Sequence, residues 1–214
     1  MPNLYRAAVV AALLVLTGCS VVNGSGQTKS ETRSVSGFTG IELSGIGEVI
    51  IEQGNAEALT IEADDNVLPA LTSEVDDSVL ELGTKPRTRV QTRNPIRYRV
   101  TVQDLERIDL SGSGTVTGTD LKLTTLEVNI SGSGTMNLAG SAEQQEVDVS
   151  GSGRYEAAQL PSRSVSIEIS GSGNATVAAS EQLRVDISGS GTVTYSGDPA
   201  IDQSISGSGR LVKQ

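Results

Sequence analysis

Four residues with almost no side chain, Ser-Gly-Ser-Gly, recur at 111–114, 131–134, 150–153, 170–173, 188–191 and 206–209, with a degenerate copy, SGIG, at 44–47. The intact copies start 20, 19, 20, 18 and 18 residues apart, so the period is a structural unit and not a compositional accident. The residues before each copy alternate between apolar and polar: Ile108-Asp109-Leu110, Val128-Asn129-Ile130, Val147-Asp148-Val149, Ile167-Glu168-Ile169 and Val185-Asp186-Ile187. That period of two belongs to a strand with one buried face. The parity carries on through the motif. Counting from Ile130, the inward side holds Gly132, Gly134, Met136 and Leu138, and the outward side holds Ser131, Ser133, Thr135 and Asn137. The motif therefore reads as a corner with its inner side emptied, where the backbone comes close to the core or to the next repeat. The serines face outward and hydrogen-bond locally.

Two architectures satisfy this pattern. In one, each period is a coil of a parallel β-solenoid, stacked about 4.8 Å from its neighbours with the SGSG corners in one seam. In the other, each motif is a hairpin tip in an antiparallel meander. At about 3.3 Å per residue, a coil would have a perimeter of roughly 60 Å, enough for a three-sided cross-section. Residues 48–103 break the period, although "ALTIEA", "SVLELG" and "IRYRVTV" still alternate as strands and "DDNVLPALTSEV" reads as a helical turn or a loop. Solenoids need atypical ends, so part of this stretch is expected to form an enlarged or capping coil.

The N-terminus carries a different signal. Arg6 precedes an apolar run from Ala7 to Leu16 that is too short to cross a bilayer, followed by small residues and the only cysteine. Leu16-Thr17-Gly18-Cys19 resembles the lipobox of bacterial lipoproteins, which implies cleavage before Cys19 and acylation of its thiol. Stable anchoring takes more than one acyl chain, and that modification supplies several. Ser20 in place of Asp after the cysteine implies, by the same resemblance, sorting to the outer membrane. The expected organisation is a signal peptide over 1–18, a flexible Gly/Ser-rich linker over 19–34 and one β domain over 35–214.

Composition removes several function classes. The formal charge of −10 argues against strong attraction to nucleic acid, and the absence of histidine excludes imidazole metal sites and Ser-His-Asp or Cys-His catalysis. The chain has a single Phe and four Tyr, of which Tyr5 goes with the signal, leaving few stacking platforms for a sugar cleft. "KPRTRVQTRNPIRYR", Lys85 to Arg99, holds six basic residues and no acidic one. It reads either as a solvated loop and edge strand or as a site for an anionic glycan, lipopolysaccharide or phospholipid headgroups. The position two before each SG motif is Glu42, Asp109, Asn129, Asp148, Glu168, Asp186 and Ser204. In a solenoid this file would stack on one face and would bind calcium, interleave with cations or stay solvated. The first serines of the motifs would form a parallel ladder able to order water. Asp76 and Asp77 read as a turn, not as a catalytic pair.

The segments "FTGIELSGIGEVIIEQG", "ALTIEADDNVLPAL" and "YRVTVQDLERIDLSGSG", followed by the later SGSG copies, resemble the head GIN domain family of autotransporter-adhesin-like proteins, from about Val35 to the C-terminus. The resemblance implies a right-handed, single-stranded parallel β-helix and an adhesin-like role; it implies no catalytic residue. The expected function is that of a lipid-anchored protein of the bacterial envelope. It would present a rigid β-helix to a macromolecule or an envelope glycan, with no cofactor and with self-association through the solenoid ends left open. A carboxylate-dependent polysaccharide lyase or hydrolase is the alternative.

Overall fold

A computed structural model describes residues 20–214, and Cys19 and the expected signal peptide lie outside the described residues. The chain opens with β1 (Ser20–Asn23), β2 (Thr28–Arg33), β3 (Gly40–Gly45), β4 (Glu48–Gln53) and β5 (Ala58–Asp64). A 3-10 turn at Leu68–Ala70 leads to β6 (Leu71–Asp76), β7 (Val79–Thr84), β8 (Thr88–Gln91), β9 (Arg97–Val102) and β10 (Arg107–Gly112). Then come four long strands, β11 (Thr115–Gly132), β12 (Thr135–Gly151), β13 (Arg154–Gly171) and β14 (Asn174–Gly189), followed by β15 (Thr192–Ser196), β16 (Ala200–Gly207) and β17 (Arg210–Lys213).

The strands of successive periods pair in parallel, motif on motif. Ser111 aligns with Ser131, Ser131 with Ser150, Ser150 with Ser170, Ser170 with Ser188 and Ser188 with Ser206. A hairpin meander would pair consecutive strands antiparallel, so the fold is the parallel β-solenoid. Unequal periods are absorbed away from the seam: the register shifts at Gly118/Leu121, Asn137/Ala139 and Ala157/Ser162, where the linking sequences differ in length.

The core is a set of ladders along the solenoid axis. One runs Leu43, Leu110, Ile130, Val149, Ile169 and Ile187, all at most 1% exposed. The opposite wall supplies Val49, Val116, Met136, Tyr155, Ala175 and Val193, likewise buried. Burying each large aliphatic side chain contributes about 1.5–3 kcal/mol, and each coil repeats the contribution.

The seam departs from the expected parity. Only the second glycine of each motif faces inward: Gly134 is buried, and a Cβ there would lie 2.6 Å from Leu110 Cδ2 of the preceding coil. The first glycine does not continue the alternation. Gly132 is exposed with φ +114, and its added Cβ would lie 2.5 Å from the Gly112 carbonyl oxygen one coil back. That carbonyl accepts a hydrogen bond from Ser133 N–H at 2.8 Å. Space at this point is thus filled by backbone of the adjacent coil, and the positive φ rotates the missing side chain along the axis instead of into the core.

The N-terminal elements close one end of the stack. β5 pairs antiparallel with β2 and with β9, and β6 pairs antiparallel with β7, which ends the run of parallel coils as the irregular 48–103 stretch led one to expect. The Arg33 guanidinium donates to the carbonyls of Leu68 and Leu71 and to Ser73 Oγ, tying β2 to the 3-10 turn. The flexible linker expected over 19–34 is corrected here. Residues 20–23 and 28–33 are the strands β1 and β2, and apart from Arg33 their polar side chains face solvent while the backbone is held by pairing to β8 and β5. Composition missed this because backbone ladders need no apolar side chains.

Candidate functional site

The polar file predicted from sequence is assembled by the coil register. Glu42 aligns with Asp109, Asp109 with Asn129, Asn129 with Asp148, Asp148 with Glu168, Glu168 with Asp186 and Asp186 with Ser204. The ladder also runs past Glu42 to Glu81, a member the motif count could not reach because no SG follows it.

Its two halves differ electrically. At the N-terminal side Arg107 meets Asp109 at 2.6 Å and Glu127 at 3.1 Å, and Asn129 Nδ2 donates to Asp109 at 2.8 Å. The Asp109 carboxylate raises the Arg107 pKa further above its ordinary value, chiefly through that hydrogen bond. Asp148, Glu168 and Asp186 sit in no ion pair among the described residues. Three adjacent coils therefore carry three uncompensated carboxylates on one pitch. Among the described residues no three carboxylates converge closely enough to enclose a metal ion.

The exposed first serines run beside this file, as the sequence implied. Asp77 and Ser78 have φ 44 and 64 and form the two-residue connection of the β6–β7 hairpin, so the Asp76-Asp77 pair is a turn. Surface depressions are open and shallow. One of about 370 Å³ is lined by Thr117, Asn137, Leu138, Glu156 and Gln159 and contains a single carboxylate.

The basic segment is split by the fold. Arg97 is engaged by Glu48 at 3.0 Å and by Glu62 at 3.6 Å. Lys85, Arg87, Arg89 and Arg93 are exposed and make no ion pair among the described residues. β8, which carries Arg89, pairs in parallel with β1 as a separate two-stranded ribbon.

Two buried polar groups escaped the sequence reading. Asp64 is fully buried and accepts hydrogen bonds from Arg93 N–H at 3.0 Å, Asn94 Nδ2 at 2.6 Å and Gly26 N–H at 3.1 Å. The Arg93 N–H in particular, with the Asn94 and Gly26 donors, holds its carboxyl below the usual Asp range against the opposing effect of burial. The carboxylate is packed so closely against Gly24 that no side chain fits there. Asp64 thus latches the strand leaving β1 to the loop that follows β8. Gln145 stands in an otherwise apolar ladder between Leu126 and Val165. Its Oε1 accepts from Tyr155 O–H at 2.6 Å, and its Nε2 donates to Leu160 O at 3.1 Å and to Ser162 Oγ at 2.5 Å. Period-two counting back from Val147 places Gln145 inward; Asp64, at the end of its strand, left no such trace.

Comparison with solved proteins bears out the fold. A putative adhesin from Bacteroides fragilis superposes with a TM-score of 0.73 at 23% identity, covering 90% of this chain and 98% of that one. A putative adhesin from Parabacteroides merdae gives a TM-score of 0.55 at 21% identity over 91% and 99% of the two chains. A putative lipid binding protein from Parabacteroides distasonis gives 0.57 at 20% identity over 91% and 100%. No curated protein matches the sequence. The family model described as "Putative auto-transporter adhesin, head GIN domain" matches residues 37–199, most of the chain, and the protein belongs to that family.

Proposed function

We propose that the protein is a lipoprotein of the bacterial envelope, anchored in the outer membrane through acylated Cys19, that uses the outer flank of its solenoid as an adhesive surface for a macromolecule or an envelope glycan. The observation that carries this reading is the file Asp148, Glu168 and Asp186, three carboxylates at the fixed pitch of stacked coils that make no ion pair among the described residues. A rigid array of like groups suits a polymeric ligand that repeats along its own length, because each added contact costs little further ordering entropy. The shallow depressions favour surface binding over chemistry on an enclosed substrate. Ile201, 45% exposed, and Ile205, 39% exposed, on β16 offer an apolar surface for association between copies.

The test is an array of envelope glycans probed with the purified protein and with an Asp148→Asn/Glu168→Gln/Asp186→Asn variant, with products analysed for turnover. Binding without turnover that the variant loses is the expected result. Cleavage of a glycan that depends on those carboxylates would replace the adhesive reading with the lyase or hydrolase alternative. Labelling of the protein by a palmitate analogue, lost in Cys19→Ser, tests the anchor.

A further inference from the structure

We infer that the β1–β8 ribbon is a membrane-docking face that lays Lys85, Arg87, Arg89 and Arg93 on the anionic phospholipid headgroups of the bilayer holding the anchor; the inference rests on the lipid-anchor reading above.

The first support is the distance from the anchor. Ser20, the residue directly after Cys19, donates its N–H to the Arg87 carbonyl at 3.0 Å and aligns with Thr88. One residue of chain spans about 3.8 Å, so an acylated Cys19 holds this ribbon at the headgroup layer with no slack to lift it away. The ribbon is also fixed to the body of the protein. Val22 and Val90 pack against the core, Gly24 N–H donates to Gln91 O at 2.8 Å, and the Asp64 carboxylate grips Gly26 on one side and Arg93 and Asn94 on the other.

The second support is the chemistry of the face turned away from that core. Because Val22 and Val90 point inward, the alternation sends Val21 and Arg89 outward, and these two are partners in the register. Val21 is 53% exposed beside the Arg89 guanidinium, which makes no ion pair among the described residues, an apolar and basic pairing suited to the boundary between headgroups and acyl chains. Arg87 stands at the tip of the Lys85–Thr88 turn, which is closed by Thr88 N–H to Lys85 O at 3.1 Å, and it holds φ 57, a conformation that usually goes to glycine or asparagine. Lys85, Arg87, Arg89 and Arg93 are exposed and make no ion pair among the described residues while the whole chain carries −10, so an anionic surface attracts this ribbon and repels the chain's net negative charge elsewhere. The result is a defined pose, with the N-terminal cap down and the carboxylate flank raised away from the lipid.

The experiment uses the full acylated protein reconstituted into vesicles of phosphatidylcholine alone or of phosphatidylcholine with one third phosphatidylglycerol, with hydrogen exchange read across residues 84–94. Each Lys or Arg at an anionic surface multiplies occupancy by about fivefold, so neutralising three removes docking by about a hundredfold. Exchange in this segment should be slower on the anionic vesicles only. The difference should vanish in Lys85→Gln/Arg87→Gln/Arg89→Gln protein and at high salt, where the Debye length falls to about 3 Å. Exchange in the β11–β14 coils should be unchanged by the substitutions, which shows that the variant is folded. If the protein floats with both kinds of vesicle yet exchanges equally on them, the docking face is refuted while the anchor stands. If it floats with neither, the anchor reading falls and this inference falls with it.

Discussion

Replacing Gly132 with Ala perturbs the seam by one methyl group in a place where the structure leaves no room. The added Cβ would lie 2.5 Å from the Gly112 carbonyl oxygen and 3.3 Å from its Cα, all of it backbone of the preceding coil. A side chain could rotate out of the way; a strand held in register on both sides cannot. The alanine would also have to hold φ +114, which adds strain of order 1–3 kcal/mol to an overpacking cost of about 1–3 kcal/mol. We expect a loss of about 2–6 kcal/mol. At Gly134 the nearest obstacles are Leu110 Cδ2 at 2.6 Å and Cγ at 2.8 Å, a side chain that can shift, with the Gly114 carbonyl oxygen farther off at 3.0 Å and no positive φ to hold, so Gly134→Ala should cost less, about 1–3 kcal/mol. Ser133 is exposed, and its contact with Gly112 is made by backbone, so Ser133→Ala should stay within about 0.5 kcal/mol. Urea unfolding midpoints of the three variants, with hydrogen exchange on β11 and β12 to detect coil-by-coil opening, measure the order. Equal losses at Gly132 and Ser133, or a larger loss at Gly134 than at Gly132, would refute the assignment of the first glycine to the inter-coil contact.

Tyr155→Phe should destabilise by about 1–3 kcal/mol, because the buried Gln145 Oε1 loses its donor; thermal denaturation measures it, and a neutral result would mean that the network is hydrated. Glu168→Gln should raise stability by a few tenths of a kcal/mol at low salt, an effect that fades as salt is added, since it relieves repulsion from Asp148 and Asp186 one coil away; destabilisation would show that the file is already neutralised by a bound cation. The Asp64 carboxyl is depressed when folded, so its contribution is present above the unfolded value near 3.8 and is lost as pH falls through the folded value; amide exchange around Gly26 and Arg93 should rise in that acid window, and Asp64→Asn should flatten the response. Burial pushes Tyr98 up to about 12, so its contribution is present below the ordinary tyrosine value of 10.0 and is lost as pH rises toward 12, where phenolate absorbance and unfolding should appear together.

What was legible in the sequence was whatever depends on local alternation and on absence. The 18–20-residue period, the inward series through Ile130, Met136 and Leu138, the outward serines and the exclusion of imidazole chemistry all follow from side-chain identity at fixed offsets. Even the acidic file could be written down as a list of positions before any strand was paired. Its electrical division could not, because the neutralising Arg107 sits outside the motif and Glu81 joins only through the β3–β7 pairing.

Tertiary structure decided what depends on partners distant in the chain. A period of two looks the same in a parallel coil and in a hairpin, so only the Ser-on-Ser register between periods separates solenoid from meander. The first glycine was misplaced because strict alternation assumes extended backbone with negative φ; at φ +114 the Cβ direction swings toward the neighbouring coil, whose position no local rule supplies. The same reason hid the β1–β8 ribbon. Ser20–Asn23 has the composition of a tether, and it becomes part of the body only because residues 68 positions later offer it a strand edge. Local composition tells which side chains must be buried, whereas backbone pairing is satisfied by whichever edge the completed fold brings within reach.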